Sequence, residues 1–397
     1  MNSPAPNMKE TLAVVMHKPG VATERFIERH VRESFGGQTV VLARHAGNPY
    51  RFTQPLLVAD AVQGSRWQRF ACAWPTRLQE YMRHRYWGVP TGIERRHILN
   101  FWRSHHVTAV LAEFGPLGCW IAPVARAANL PMFVYFRGYD ASRRLRSQST
   151  IQAYKHLMPQ VDGVFAVSAF LVDNLRRTGI SHPNTHVIPS GTNTQVFSPG
   201  AKDPNLVVSV GRFVTKKRPD ANIRAFAAAA AQRPDLRLEM VGDGPQLDAC
   251  QALARTLGLE ARIRFLGALD HAAIAELLSR AHVFLQHSIT TPGGDTEGLP
   301  SSIQEAMAAG TVVISTRHAG IPEIVIHGQT GWLTEENDLN GYAQLLVQVC
   351  NDPTHAAVVA KQARHLAEQK LDTRALQAQM EAVMRQSIQS RRAHHDA

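Results

Sequence analysis

Within GDTEGLPSSIQEAMAAG, residues 294–310, two carboxylates, Glu297 and Glu305, stand eight residues apart around a Gly-Leu-Pro-Ser turn. Ser302-Ile303-Gln304-Glu305 fits a capping box, with Ser302 as N-cap and Glu305 reaching back to its amide. A purely structural role for Glu305 is therefore open. Glu297 differs, because it precedes Pro300 in a turn where no helix cap needs it. The turn Gly298-Leu299-Pro300-Ser301 leaves backbone amides at a helix N-terminus, a setting that attracts anions. Carboxylates beside such amides suit a ligand that brings hydroxyl donors as well as negative charge, as a sugar and a ribose do.

A second basic stretch, SVGRFVTKKRPD, follows an apolar run, Leu206 to Val210. A glycine turn releases Arg212, with Lys216 and Lys217 four and five residues later. A turn offering several cations at a strand's carboxyl end suits a diphosphate, which takes both bidentate and point-charge partners. An ordinary solvated basic loop is the alternative. EMVGDGPQL opens like a dinucleotide fingerprint, yet Leu247 fills the third glycine position, where close helix packing needs a small residue. It reads as a turn and helix start.

Positioning these groups falls to alternating elements. Short β-branched runs (TLAVVM, QTVVLAR, VTAVLAEF, PMFVYF, GVFAVS, THVIPS) alternate with helical stretches such as TERFIERHVRESF and GCWIAPVARAANL. The second half repeats the scheme with NLVVSVGR, LRLEMVG, IRFLG, HVFLQHS and TVVIST. Such alternation predicts parallel sheets with helices on both sides. PSGTNTQVFSPGAKDPN is the best linker between the halves. The expectation is an α/β chain of two Rossmann-like lobes facing across a cleft, with the chemistry at strand ends. One lobe would span residues 1–198 plus a crossing helix at 376–397, and the other residues 199–375.

Composition narrows the function classes. The four cysteines, Cys72, Cys119, Cys250 and Cys350, include no C-x-x-C pair, which disfavours a disulfide scaffold or zinc site and suits a reducing compartment. The first apolar run is too short for a secretory signal and no stretch is long enough to span a bilayer, so the expected location is cytoplasmic. Residues 1–200 hold 23 Lys and Arg against 11 Asp and Glu, while residues 201–397 hold 20 against 21, so the excess charge lies in the first half. It is densest in RWQRFACAWPTRLQEYMRHRYWGVPTGIERRH, where arginines interleave with aromatics. That stretch fits a surface for anionic lipid, or a solvated helix face. No nucleic-acid partner is expected, because no recognisable motif for one is present.

EGLPSSIQEAMAAG followed by STRHAGIPEIVIHGQTGWL resembles the signature of family 4 of the retaining glycosyltransferases with the GT-B fold. VGRFVTKKRPD, MVGDGPQL, IRFLGAL, FRGYD, VFAVSAFL and VIPSGTNTQVFSP are similar to other blocks of that family, in the same order. The resemblance covers nearly the whole chain and is weakest over residues 45–100. Its wording is most similar to enzymes that build bacterial exopolysaccharides and lipid-linked glycans. It implies a hexosyltransferase that uses a nucleotide-diphosphate sugar, needs no cofactor or metal, and retains anomeric configuration. Arg212 and Lys217 would hold the diphosphate, Glu305 the ribose hydroxyls, and Glu297 the donor sugar. Gly298, Leu299, Pro300 and Ser301 would offer amides, Gly267, Ala268 and Leu269 would lie against the base, and Gly20 would approach the donor from the first lobe. The tail LDTRALQAQMEAVMRQSI would be the helix that crosses back to that lobe.

Two departures bear on the acceptor side. Where the family often has a histidine, this chain has Arg137 in YFRGYD. Arginine is no general base, and it would instead bind phosphate or an acidic acceptor, or pair with Asp140. The N-terminal loop HKPGVATE has one glycine where many relatives have two. The expected partners are a nucleotide sugar and a glycan or lipid-linked acceptor, with an anionic membrane surface at the inner face of the plasma membrane. A sugar phosphorylase, a nucleotide-sugar epimerase and a non-catalytic partner subunit are the rival readings.

Overall fold

The computed structural model describes residues 10–21, 25–47, 53–62 and 74–395. Cys72 and the segment RWQRFACA of the basic stretch lie outside them. The chain divides into two compact units, one of residues 1–166, 172–188 and 377–397, the other of residues 167–171 and 189–376. Residues 189–198 thus go with the second unit, ten residues ahead of the boundary expected from the linker composition.

The first unit's sheet is built from β1 (Leu12–Met16), β2 (Thr39–Ala43), β3 (Leu56–Val58), β4 (Ala109–Glu113), β5 (Met132–Phe136), β6 (Gly163–Ala166) and β7 (Thr185–Val187). Their spatial order is β3-β2-β1-β4-β5-β6-β7, and every described pairing is parallel. All residues of β1, β2, β4, β5 and β6 are buried. A parallel strand covered on both faces has no polar side to offer water, which is why these segments read as continuous apolar runs. Helix Gly115–Ala127 packs close to β5. A Cβ on Gly115 would stand 2.5 Å from the Phe136 ring, so a side chain there would push the helix off the sheet.

The second unit's sheet comprises β8 (Asp203–Val210), β9 (Arg237–Val241), β10 (Ile263–Gly267), β11 (Ala281–Gln286), β12 (Val312–Thr316) and β13 (Trp332–Thr334), in the order β10-β9-β8-β11-β12-β13. Its core gathers Val207, Phe213, Phe226, Leu238, Val283 and Tyr342. Two strands escape the sequence pattern, β3 and β13. Each is a three-residue edge strand, too short for alternation or an apolar run to register.

The linker residues are tied down rather than loose. Thr192 N–H donates to the Leu371 carbonyl at 2.8 Å, and Thr194 Oγ1 donates to Asp372 Oδ2 at 2.5 Å. From there helix Thr373–His395 begins in the second unit, and from Gln377 onward it belongs to the first. Met380, Met384 and Ile388 are buried there. Glu381 accepts from the Phe35 N–H at 2.9 Å and from Gln377 Nε2 at 3.0 Å, and it pairs with Arg385 at 2.9 Å. Phe35 sits in the left-handed region, φ 50°, so its amide depends on this distant carboxylate. Glu381→Ala strands that buried N–H, and urea unfolding of the variant should show a loss of about 1–3 kcal/mol. An unchanged midpoint would mean that Glu381 does not hold the helix to the first unit.

Candidate functional site in the second unit

In the second sheet β8 and β11 are neighbours, and the chain leaves them in opposite directions, toward β9 and toward β12. Such a switch point opens a crevice beyond the carboxyl ends of the two strands. The loop after β8 carries Arg212, Lys216 and Lys217, and the loop after β11 carries Glu297.

The GDG turn after β9 braces the first of these loops. Gly242 has φ 132°, and a Cβ there would lie 2.0 Å from the Gly211 carbonyl oxygen, so only glycine fits. Gly211 N–H donates to the Val241 carbonyl and Phe213 N–H to the Asp243 carbonyl, each at 2.9 Å. Gly242 N–H donates to the Gly267 carbonyl at 2.7 Å. Three successive strand ends are thereby fixed by backbone bonds, and the Arg212 loop is the one they support.

Lys217 meets Glu297 across the switch point, Nζ to Oε1, at 3.2 Å. Lys216 lies 3.4 Å from Asp295 and donates to the Thr296 carbonyl at 3.3 Å. Burial raises the Glu297 pKa, but the Lys217 and then Lys216 charges outweigh burial and bring it down to about 2. Glu297 is therefore a carboxylate throughout the neutral range. Arg212 is exposed, and among the described residues its guanidinium has no hydrogen-bond or ion-pair partner. It lines one small cavity together with Gly211, Phe213, Lys217 and Gln286.

Glu297 is held from behind. Its N–H donates to His318 Nε2 at 3.0 Å, which leaves the ring proton on Nδ1, 2.6 Å from Glu336 Oε1. Glu336 in turn accepts from Thr290 N–H at 2.7 Å and from its hydroxyl at 3.1 Å. The His318 side chain is fully buried, so this chain of bonds fixes the acidic loop from its protein side.

The capping box does not form. Helix Ser301–Ala308 starts with Pro300 in the N-cap position and no side-chain cap. Ser302 Oγ donates to Gln286 Oε1 at 2.8 Å instead, and Glu305 pairs with His271 Nε2 at 3.2 Å. The proline explains the difference, because with Pro300 as N-cap the helix starts two residues earlier than a Ser302 cap would start it. Glu305 is thus released from the capping role. The N–H groups of Ser301, Ser302 and Ile303 have no acceptor among the described residues, and Leu299 is buried beneath them. Gly298 supplies its carbonyl to the Gly320 N–H at 3.0 Å. Gly267, at φ 65°, ends β10, and Ala268, which is exposed, and Leu269 follow it.

Three expected residues lie elsewhere, in the first unit. Gly20 is exposed in the loop after β1, with φ 76°. Arg137 does not pair with the Asp140 carboxylate through its guanidinium. Its Nε and Nη2 donate to Glu113 Oε2 at 3.0 and 2.8 Å, and it is sandwiched against Phe26 and Tyr135, 3.9 and 3.7 Å from the ring centroids. Asp140 is 1% exposed and accepts three backbone N–H groups, from Gly115, Arg137 and Gly138. Its carboxyl oxygens are spent on the turn, which leaves the buried Glu113 as the acid within reach of Arg137. Burial raises the Glu113 pKa, but Arg137 and then His30, 2.5 Å from Oε1, bring it down to about 2.

Glu113, His30, His318 and Glu336 were not singled out in the sequence. His318 stands inside STRHAGIPE, but nothing in that string shows which nitrogen faces which acid. Glu113 ends an apolar run, and an acid at the end of a buried strand was the only signal available. Among the described residues no group of three or more His, Cys, Asp or Glu side chains is arranged to hold a metal ion.

Comparison with known proteins agrees with the sequence blocks. Residues 192–366 match the family described as glycosyl transferases group 1, and residues 30–196 match glycosyltransferase family 4. The chain is 30% identical over 283 residues to the putative colanic acid biosynthesis glycosyltransferase WcaL of Salmonella typhimurium, covering 69% of each chain. It is also 30% identical over 234 residues to the amylovoran biosynthesis glycosyltransferase AmsK of Erwinia amylovora, covering 58% of this chain and 57% of that one. Among solved structures, Anabaena Alr3699/HepE in complex with UDP superposes with a TM-score of 0.76 at 19% identity, over 95% of this chain and 100% of that one. Sucrose-phosphate synthase from Thermosynechococcus elongatus gives 0.73 at 20% identity, over 96% and 100%. These likenesses carry the GT-B fold, as the sequence led one to expect, and with the two family matches they place this chain among the family 4 (group 1) glycosyltransferases.

Proposed function

We propose that this glycosyltransferase moves a hexose from a nucleoside diphosphate sugar to a glycan or lipid-linked acceptor in the assembly of a bacterial surface polysaccharide, with retention of anomeric configuration. The observation that carries the reading is the switch-point arrangement, in which Lys217 and Glu297 meet at 3.2 Å beside Arg212, which has no partner among the described residues. The Anabaena structures in complex with UDP and with UDP-glucose, and the relatives named for colanic acid and amylovoran biosynthesis, support it.

In this reading Arg212 and Lys217 take the diphosphate, and the open amides of Ser301 to Ile303 add fixed partial charge. As the glycosidic bond breaks, negative charge grows on the diphosphate and positive charge on the anomeric carbon. Arg212 answers the first without reorganising. Lys217 turns from Glu297 toward phosphate, and Glu297 is left to accept sugar hydroxyls and to stabilise the cationic carbon. Glu305 accepts from the ribose, with the base near Gly267, Ala268 and Leu269. The leaving phosphate takes the acceptor proton on the face it departs from, which retains configuration. Fixed cations do the charge neutralisation here, so chelator leaves turnover unchanged.

A thermal-shift panel of nucleoside diphosphate sugars, followed by an assay of released nucleoside diphosphate and NMR of the product anomer, tests the reading. Arg212→Ala should lower kcat by about 10²–10³-fold, the range of a lost oxyanion donor, with a smaller change in donor affinity. Turnover that requires inorganic phosphate would replace transfer by phosphorolysis, and binding without turnover would replace it by a partner-subunit role.

Peripheral attachment at the cytoplasmic face of the membrane belongs to the same proposal. Among the described residues no helix is long and apolar enough to cross a bilayer. Yet four of the ten exposed large apolar side chains among the described residues, Leu78, Met82, Trp87 and Ile93, fall within one stretch of residues 78–93. Arg83, Arg85 and Arg96 are exposed beside them. Apolar side chains flanked by arginines match an anionic lipid surface. Co-sedimentation with phosphatidylglycerol vesicles should exceed that with phosphatidylcholine, fall with salt, and drop in Trp87→Ala. Binding indifferent to both lipid charge and salt would refute attachment by this patch.

A further inference from the structure

The first sheet has a switch point of its own, between β1 and β4, from which the chain continues toward β2 on one side and β5 on the other. The residues that leave these strand ends are basic. His17 follows β1, Arg44 follows β2, and Arg143, Arg144 and Arg146 occupy the turns after β5. The loops after β1 and β2 are packed against each other, since a Cβ on Gly47 would lie 2.2 Å from the Pro19 carbonyl oxygen. Arg44 lies 5.5 Å over the Trp120 ring and beside the Tyr86 hydroxyl. Arg144 lies 5.5 Å over the Tyr139 ring, and its Nε is buried with no acceptor among the described residues.

Among the described residues, Arg44 and Arg144 lack counter-charge. Burial first, and then Arg44, His45 and Arg144, hold the His17 pKa down to about 4, so its ring is a neutral hydrogen-bonding group. His45 is answered by Asp60 at 2.5 Å. Neither Arg44 nor Arg144 has an ion-pair partner among the described residues. Two further acids, Asp140 and Glu113, are committed as well. Asp140 accepts three backbone N–H groups, and Glu113 serves Arg137 and His30. The helix that opens at the same crevice offers no amide either. Gly115 N–H goes to Asp140, and Leu117 and Gly118 N–H go to the Phe114 carbonyl. Two half-buried guanidinium groups, rigidly backed by aromatic rings and unmatched by carboxylate, form a fork geometry that oxyanions satisfy.

We propose that Arg44 and Arg144, with the His17 imidazole and the Tyr86 hydroxyl, form a subsite for an oxyanion carried by the acceptor, a phosphoryl or carboxylate group. The inference rests on the reading of the first unit as the acceptor-binding one. It moves acceptor recognition away from Arg137, whose guanidinium Glu113 already occupies. Two sources supply the shared chemistry, a lipid phosphate and an acidic sugar.

Calorimetric titration of the full chain separates them, with UDP and GDP in excess so that the nucleotide site is filled. The probes are geranyl phosphate against geraniol, and methyl glucuronide against methyl glucoside. At least one anionic probe should bind about tenfold tighter than its neutral counterpart, less so as salt rises. The probe that does so identifies the source. Arg44→Gln with Arg144→Gln should remove that preference. Arg144→Gln alone, which leaves the Trp120 packing intact, should reduce it by about tenfold with an unchanged melting temperature. Equal binding of charged and neutral probes, or an unaltered preference in Arg144→Gln and the double variant, would overturn the subsite. If the wild type shows the preference but binds no nucleotide, the donor assignment fails and the subsite stands.

Discussion

The Lys217–Glu297 ion pair is the constraint on which the second unit's strand-end architecture turns. It joins the loops that follow β8 and β11, the neighbouring strands from which the chain departs in opposite directions, beside the 2.9 Å bond from the Ile289 N–H to the Lys216 carbonyl. Its partners are fixed from opposite directions. The lysine loop is braced by a glycine turn that tolerates no Cβ, and the glutamate loop by a buried histidine with a single permissible tautomer. A pair held this way has its geometry set by the fold itself, with no ligand needed to bring the two loops together.

The two units put the same topology to different electrostatic use. In the second, an arginine beside the switch point is exposed and unmatched. In the first, the arginine after β5 is clamped between two rings and neutralised by a buried glutamate, while unmatched charge appears one strand end away, at Arg44 and Arg144. Arg137 shows why a residue's type does not settle its role. Removing Glu113 from water is costly unless a cation stays with it, and Arg137 is the cation within reach.

Much of this was legible in the chain. The apolar runs of β1, β2, β4 to β6 and β8 to β12 declare parallel strands because both faces of each are covered, and KK and E sit at strand ends where loops converge. The capping-box reading of Ser302 to Glu305 failed for a local reason. The pattern is satisfied in sequence, but Pro300 fixes the helix start two residues earlier. The histidine–acid relay behind Glu297 was illegible for a different reason, since His318 and Glu336 meet only once β12 and β13 are paired. The pairing of Glu113 with Arg137 likewise needs β4 beside β5. Contacts across neighbouring strands depend on sheet order, which no local spacing encodes.

Helix Thr373–His395 carries a consequence for how the protein folds. Met380, Met384 and Ile388 fill the first unit's interior, yet residues 189–376 separate them from the rest of that unit. The first unit's apolar core therefore closes through contacts of long sequence separation, which are entropically costly to bring together and slow to form. Substitutions in this helix would strike a core whose other members come from far earlier in the sequence.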